Sequence, residues 1–339
     1  MNYSILDYVH IFKGQTPQQA LENTKETLQL ADTLGYTRYW FTEHHNSTTI
    51  FSMAPDLMMM LAGTLTKRMN IGAGGIMLPN YSPYKVAENF ATLEAAFPGR
   101  VDLGMGRASG TDFLAKMALQ MTREKMYELN TADQIQEIIY HLTGMFSENH
   151  PLQTLKIPGT PLKPNLFMLG SSEGGLSLAV KFGLKFAFAG QLNPRQDRQL
   201  LNLYKQQFAL QGHEEKPYSI LSKFIFVADT EEEAQLAALP AEISWMKMFM
   251  GAKPDELQLF TQEEAANYEF TMHELAIREQ NRDRFIIGNP AQVKAQIEEL
   301  KYTAEIDEIM VADFYADQQT RLEGHTLFAH IMQALSGKS

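Results

Sequence analysis

Short apolar blocks alternate with longer amphipathic stretches along most of the chain. The stretch 16–35 carries apolar residues at helical spacing, and both of its ends have residues typical of helix ends. Thr16 suits the N-cap, Gln19 the reciprocal capping position, and Gly35 a left-handed cap at the C-terminal end. The pattern therefore predicts a helix that follows a first strand.

The apolar blocks have the length and composition of strands, and helical patterns separate most of them. The predicted strands lie at residues 3–8, 37–43, 69–78, 100–105, 165–170, 185–190, 218–228 and 306–312. Helical patterns lie at residues 82–99, 122–144, 172–183 and 194–212, and another begins near Asp317. Alternating strands and helices predict a parallel sheet, and eight strands at this length favour a closed (β/α)8 TIM barrel.

One segment departs from this alternation of strands and helices. Residues 229–288 separate the seventh and eighth predicted strands by far more than a loop requires, and they contain charged helical runs. We interpret residues 1–339 as a single barrel domain. Within it, we interpret residues 229–288 as an insertion that forms a partly mobile lid over the barrel mouth.

The composition narrows the possible functions. The chain has 339 residues and a net charge of −11, so sequence-independent binding of nucleic acid is not expected. It has no cysteine, which excludes disulfides and thiolate metal ligands. The first residues lack a basic signal-peptide region, and no apolar run is long enough to span a membrane. We therefore expect a cytoplasmic protein without a membrane partner.

Ionisable residues follow the second predicted strand directly, in the segment WFTEHHNS. Glu43, His44 and His45 stand where the C-terminal end of a barrel strand places catalytic groups. Strand alternation predicts that only one of the two histidines faces the cavity. A histidine there suits proton transfer, and no zinc-binding motif accompanies it. The alternative is a polar strand end that meets solvent, and we assign the other histidines, including His10, to surface or packing positions.

Two glycine-rich segments suggest contacts with a ligand. The strand at 69–78 contains three glycines, which mark a bulge, a close approach by a ligand, or simple packing in the barrel. The segment 103–112 resembles a dinucleotide-binding loop, but Ser109 stands where the third glycine belongs. What remains there is Arg107 just beyond a strand, which suits either a phosphate or a surface ion pair.

A third segment, MLGSSEGGLSLA, runs from a predicted strand into the start of a helix. Free backbone N–H groups at such a start bind anions, and Ser171 and Ser172 can add hydroxyl groups. Ser172 could equally be an ordinary N-cap. Together with Arg107, this segment outlines a phosphate site at neighbouring positions of the barrel.

These segments together resemble the bacterial luciferase-like flavin monooxygenases, in a branch of unknown function. The resemblance is collinear over most of the chain and is strongest from residue 3 to about residue 112. It rests on RYWFTEHHN, on IGAGGIMLPNYSPYKVAENFATLEAAFPGRVDLGMGR, and on GNPAQVKAQIEEL followed by DEIMVADFY. It implies a TIM barrel that binds reduced FMN as a cosubstrate and uses O2 as the oxidant.

The resemblance also implies roles for individual residues. His44 matches the family's catalytic histidine beside the flavin ring, and Gly74-Gly75 matches a bulge with a non-prolyl cis peptide under that ring. The residues assigned to the cofactor site are Gly74, Gly75, Arg107, Ser171, Ser172, Gly175 and Gly190, and no metal ligand is implied. Of these, Arg107 and the start of the helix after Ser171 would contact the phosphate. Residues 189–191 lack the bulky aromatic side chain of luciferases, so an aldehyde substrate and light emission are not supported.

We therefore expect an enzyme, a flavin-dependent monooxygenase that oxidises a small organic substrate with reduced FMN and O2. An NAD(P)H:flavin reductase would supply the cofactor, and the protein would form a homodimer. Two alternatives remain open at this point. One is a flavin or deazaflavin oxidoreductase that transfers hydride without oxygen, and the other is a catalytically silent flavin-binding protein on the same barrel.

Overall fold

A computed structural model describes residues 1–120, 130–252 and 257–337, and within these ranges it shows nine strands and twelve α-helices. The strands are β1 (Asn2–Asp7), β2 (Arg38–Phe41), β3 (Asn70–Met77), β4 (Val101–Gly106), β5 (Asn165–Gly170), β6 (Lys185–Ala189), β7 (Ser219–Val227), β8 (Phe285–Gly288) and β9 (Glu308–Asp313). The helices are α1 (Pro17–Leu34), α2 (Pro55–Leu65), α3 (Pro83–Ala96), α4 (Phe113–Gln120), α5 (Thr131–Thr143), α6 (Glu173–Phe182), α7 (Asp197–Leu210), α8 (Glu231–Phe249), α9 (Gln262–Ala266), α10 (Met272–Gln280), α11 (Pro290–Thr303) and α12 (Gln318–Leu335).

Eight of the strands close into a parallel barrel. Strands β1 to β7 pair in order, and β9 pairs with both β7 and β1, which completes the ring. Each predicted strand corresponds to one of these eight, so the predicted TIM barrel is confirmed. The remaining strand, β8, pairs with the end of β7 outside the ring. It was not predicted, because a four-residue apolar run after a charged segment is too short to distinguish from a loop.

The helix boundaries follow the residues at their ends. Thr16 Oγ1 accepts a hydrogen bond from the Gln19 backbone N–H at 3.3 Å, and Gly35 closes α1 with a φ of 81°, as predicted. Helix α2 was not predicted, because its run of methionine and leucine has little helical period. Helix α5 is part of the predicted helix at 122–144, and the earlier part of that prediction, at 122–129, lies outside the described residues.

The predicted insertion at 229–288 contains α8, α9, α10 and β8 among its described residues, and α11 leads from it back to the barrel. Helix α8 carries Trp245 against Phe224 of β7, with ring centroids 5.2 Å apart. The buried carboxylate of Glu242 in α8 pairs with Arg278 of α10 at 2.6 Å. These contacts hold α8 beside the barrel, and its mobility as a lid stays a prediction.

Buried charges fill the N-terminal end of the barrel. Arg38 Nη1 lies 2.5 Å from Asp102 Oδ2, and Arg38 Nε lies 2.8 Å from Glu308 Oε1. The Trp40 indole N–H donates to the same Asp102 oxygen at 2.9 Å, which fixes the indole ring inside the barrel. The opposite, C-terminal end of the strands is the end at which TIM barrels carry their sites. Within the described ranges, no helix has the length and apolar character needed to cross a membrane.

Candidate active site

A cavity of about 930 Å³ opens at the C-terminal ends of the barrel strands. That volume is near the upper end of the range for small-molecule sites, so the cavity can hold a cofactor together with a second molecule. Its wall is largely apolar and aromatic, and it includes Trp40 and Trp245, the two tryptophans of the chain. Polar side chains from the strand ends complete the wall.

Glu43, His44 and His45 lie just past the end of β2. Glu43 is fully buried, and its carboxylate accepts three hydrogen bonds, each of 2.9 Å. The donors are the His45 ring, the Asn80 side-chain amide and the Met77 backbone N–H. Glu43 therefore orients a histidine and also fastens the segment after β3 to the segment after β2.

His44 lies in the cavity wall and stacks on Tyr8, with ring centroids 5.6 Å apart and planes inclined by 8°. Burial lowers the pKa of His44 to about 4, so the ring is neutral at pH 7. His45 also lies in the wall, but its ring is bonded to Glu43. The hydrogen bond of His45 agrees with the expectation that the two histidines differ in role, but both lie in the wall, because β2 ends at Phe41 and strand alternation no longer applies there.

Arg107 follows β4 directly, and Ser172 is the N-cap of α6 after β5. Arg107 donates a hydrogen bond from Nη2 to Ser172 Oγ at 3.1 Å, and the Ser172 side chain makes no capping bond within α6. A Cβ on Gly174 would lie 2.4 Å from Arg107 Nη1. Only a glycine at this position therefore leaves room for the guanidinium beside the start of the helix. Ser171 lies in the adjoining cavity wall. The structure thus brings together the groups predicted to hold a phosphate, and the binding of a phosphate stays a prediction.

The peptide bond between Gly74 and Gly75 is cis, and the pairing of β3 with β4 shifts register directly after Gly74. Both features agree with the predicted bulge. A Cβ on Gly74 would lie 2.6 Å from Leu6 and 2.9 Å from Trp40, and a Cβ on Gly75 would lie 2.6 Å from the carbonyl oxygen of Gly104. Gly74 therefore belongs to the cavity wall, whereas Gly75 packs against β4.

Gly175 and Gly190 lie behind the wall. A Cβ on Gly175 would lie 3.0 Å from the Cα of Gly170, so glycine lets the first turn of α6 pack closely on the end of β5. A Cβ on Gly190 would lie 2.7 Å from Leu221 of β7. Both residues shape the site by close packing, and direct contact of either one with a cofactor stays a prediction.

Sequence reasoning missed the part of the wall formed by Tyr8, His10, Gln191 and Phe314. His10 stacks on Tyr8 with ring centroids 5.5 Å apart and meets Phe314 edge-on at 4.3 Å. Burial lowers the pKa of His10 to about 4. His10 is therefore a packing residue, as one of the two expected positions had it, and it also lies in the cavity wall, which was not predicted. Its place just after β1 could have identified it, because the rule that was applied to the end of β2 holds for every strand of a barrel.

Solved structures share this fold even where their sequences differ widely. The oxygenating constituent of 3,6-diketocamphane monooxygenase from Pseudomonas putida, in complex with FMN, aligns with a TM-score of 0.70 at 17% identity, over 97% of this chain and 96% of that one. An F420-dependent secondary alcohol dehydrogenase aligns with a TM-score of 0.66 at 16% identity, over 98% of both chains. At such low identity the likeness shows the fold alone, so it does not decide between the two cofactors.

More similar sequences identify the family. The family profile described as luciferase-like monooxygenase matches residues 1–307. A luciferase-like monooxygenase of Escherichia coli (strain K12) is 31% identical over 339 residues, covering 99% of this chain and 98% of its own. The N-acetyl-S-alkylcysteine monooxygenase of Bacillus subtilis is 34% identical over 236 residues, covering 68% of this chain and 69% of its own. The structure of apo-MsnO8 aligns with a TM-score of 0.84 at 26% identity, over 98% of both chains. With relatives named as monooxygenases and a profile that spans most of its length, this chain belongs to the luciferase-like monooxygenase family.

Proposed function

We propose that the chain is the oxygenase of a two-component system, which binds reduced FMN from a separate flavin reductase and uses O2 to oxidise a small organic molecule. The observation that carries the proposal is the contact of Arg107 with the N-cap of α6, beside a cavity whose wall contains a neutral histidine. The Pseudomonas putida protein of the same fold is likewise named as an oxygenating constituent.

The residues at the cavity mouth fit a phosphorylated flavin. Arg107 and the hydroxyl of Ser172 present donors at the start of a helix, where the helix dipole and free N–H groups also favour an anion. Ser171 adds a second hydroxyl from the adjoining wall. The apolar wall around Trp40 and Leu169 suits a planar ring and keeps water away from it. A bound reduced flavin supplies the electrons for O2, and the chain supplies binding, orientation and the management of protons.

His44 is the group placed to manage a proton. Because burial keeps its pKa at about 4, the ring is neutral at pH 7, and an imidazole nitrogen can accept a proton or a hydrogen bond from a ligand. Glu43 is not free for this role, since its carboxylate already accepts three hydrogen bonds. Glu43 instead holds His45 and keeps this part of the wall in place.

The proposal is tested by mixing the protein with reduced FMN in the absence of oxygen and then adding O2. We expect binding of reduced FMN, followed by a return of the oxidised absorbance at a rate clearly different from that of free reduced FMN, because the cavity shields the ring from water. Reaction at the rate of free reduced FMN would indicate a silent flavin-binding protein. Binding of a reduced deazaflavin such as F420, without binding of FMN, would indicate a hydride-transfer oxidoreductase.

A further inference from the structure

The cavity wall contains buried polar atoms that have no partner in the protein. Within the described ranges, nine buried side-chain nitrogen or oxygen atoms lack a hydrogen-bond partner, and five of these belong to residues of the wall. The five are His10 Nε2, Thr42 Oγ1, Gln191 Oε1, Ser222 Oγ and Trp245 Nε1. Burying a polar group without a hydrogen bond is unfavourable, and most buried polar groups in native proteins are paired. Their concentration around one cavity therefore indicates a bound molecule that pairs with them.

Four of these residues form one side of the cavity, which we call the second side: His10, Gln191, Ser222 and Trp245. His10 follows β1, Gln191 follows β6, Ser222 lies in β7 and Trp245 lies in α8. In the ring, β6, β7, β9 and β1 are consecutive neighbours. Arg107 instead follows β4, so the second side is separate from the corner that fits a phosphate.

The backbone holds His10 in a defined position. Val9, the residue before it, has a φ of 53°, and its N–H donates to Asp7 Oδ1 at 2.6 Å. A left-handed conformation is rare for a β-branched residue, and such strain persists where the surrounding structure imposes it, commonly at functional sites. The His10 ring is also fixed by its contacts with Tyr8 and Phe314. His10 is therefore presented by a rigid segment.

Arg284 fixes the segment that carries Gln191. Arg284 is buried, and its Nη1 donates to the backbone carbonyls of Gln191 at 2.6 Å and of Leu192 at 2.7 Å. Its Nε donates to the Asn281 side-chain oxygen at 2.6 Å, and its guanidinium lies 5.3 Å from the centre of the Trp245 ring. Arg284 thus joins two residues of the second side, and the hydrogen bonds of its Nε and Nη1 go to oxygen atoms of the protein.

Among the described residues, the four side chains of the second side offer hydrogen bonds and carry no charge at pH 7. The Trp245 indole N–H is a donor, the Gln191 Oε1 is an acceptor, and the Ser222 hydroxyl can be either. His10 is neutral at pH 7, because burial lowers its pKa to about 4. An ion bound against these four side chains would lose its hydration without gaining a counter-ion from any of them, which is strongly unfavourable.

We propose that the second side binds an uncharged hydrogen-bonding group, such as an amide or a hydroxyl, carried by an otherwise apolar substrate. His10 and Gln191 are its main polar contacts, and the aromatic rings of Phe314 and Trp245 pack against its apolar body. The inference rests on the proposed function, because it assigns the space beside the flavin to the molecule that is oxidised. To that function it adds the chemical class of the substrate.

The test uses hexanamide, hexanoate and hexylammonium as probes, which share a chain length and differ in the charge of the head group. Both tryptophans lie in the cavity wall, so intrinsic fluorescence of the full-length protein reports entry of each probe. Calorimetry on the FMN-loaded protein repeats the titration with the cofactor in place. We expect hexanamide to bind at least about tenfold more tightly than either ion at pH 7.5. Equal binding of all three probes, or tighter binding of an ion, would overturn the proposal.

Two variants assign the contacts. His10→Phe keeps a stacked ring without Nε2, and Gln191→Leu keeps the bulk without the amide; each should weaken hexanamide binding by about threefold to tenfold. FMN affinity should be unchanged in both variants. Matched controls are His141→Phe and Gln318→Leu, which replace residues of the same types that also carry a buried polar atom without a close hydrogen bond but lie outside the wall. These control substitutions should change the binding of neither hexanamide nor FMN.

The possible failures are distinguishable. If His10→Phe and Gln191→Leu weaken the binding of FMN as much as the binding of hexanamide, these groups hold the cofactor and the inference is wrong. If neither variant affects hexanamide, the inference is also wrong, whatever the cofactor. A protein that prefers hexanamide to the ions but does not bind reduced FMN would support the uncharged-ligand site and contradict the proposed function.

Discussion

Replacement of Arg107 by alanine should separate two ligands that differ only by a phosphate, FMN and riboflavin. The guanidinium lies at the start of α6, with its Nη2 3.1 Å from Ser172 Oγ. A hydrogen bond to a charged group contributes about 1.5–3 kcal/mol, so the Kd of FMN should rise by about 10-fold to 150-fold. The Kd of riboflavin should change little, because riboflavin has no group that requires the guanidinium.

The assay is titration of the protein into each flavin, with binding measured by the change in flavin fluorescence. Arg198→Ala is a matched control, because Arg198 is an exposed arginine whose ion pair with Glu299, at 3.2 Å, is also exposed. Gly174→Ala should reproduce the loss of FMN affinity without removing any donor, since its Cβ would displace the flexible end of Arg107. If Arg107→Ala weakens FMN and riboflavin equally, the assignment of this corner to a phosphate is refuted.

Three further predictions concern catalysis, pH and mobility. His44→Ala should keep most of the affinity for FMN yet lose turnover by ~10²–10⁴-fold in substrate-dependent oxygen consumption, and full turnover would exclude a catalytic role for this histidine. Acidification from pH 6.5 to pH 4 should destabilise the protein, because the folded-state pKa of His10, about 4, lies below its unfolded value of 6.5, and the unfolded chain therefore takes up the proton first. Urea unfolding across this pH range should show that His10 lowers the free energy of unfolding by up to about 3 kcal/mol, and His10→Phe should remove this contribution. If the free energy of unfolding falls equally steeply with pH in the variant, burial of His10 is not the cause. In hydrogen exchange, part of the segment 229–288 should exchange faster than residues 100–106 and slow when FMN is added, and uniform protection without a ligand effect would contradict a lid.

The barrel could be predicted because local patterns and the fold agree along most of the chain. Each barrel strand is a compact apolar block, and the ends of α1 carry cap residues whose side chains make the predicted bonds. The prediction failed where the local pattern carries little information. Helix α2 is apolar over most of its surface, and β8 has only four residues whose strand conformation depends on pairing with β7.

The residues of the candidate site could also be predicted only in part. Arg107 and the start of α6 could be predicted as one anion site. They follow two consecutive strands, so they lie side by side, and an arginine and a helix start both bind anions. Trp245 could not, because it reaches the wall only after the ring has closed and α8 has packed beside it, whereas the position of His10 just after β1 was a signal that the sequence reasoning did not use. Glu43 is intermediate: its position was evident, whereas its partners Asn80 and Met77 depend on the turn after β3.

The closure of the ring by β9 has a consequence for the synthesis of this protein. Strand β9 pairs with β1 and with β7, and the pairing joins Asn2 to Glu308. Until residues 308–313 have left the ribosome, both of these strands present unpaired backbone groups, which are prone to pair with other chains. Contacts between such distant parts of a chain also form slowly. A nascent chain that is stalled before Glu308 should therefore depend on chaperones, and the addition of this one short strand should end that dependence.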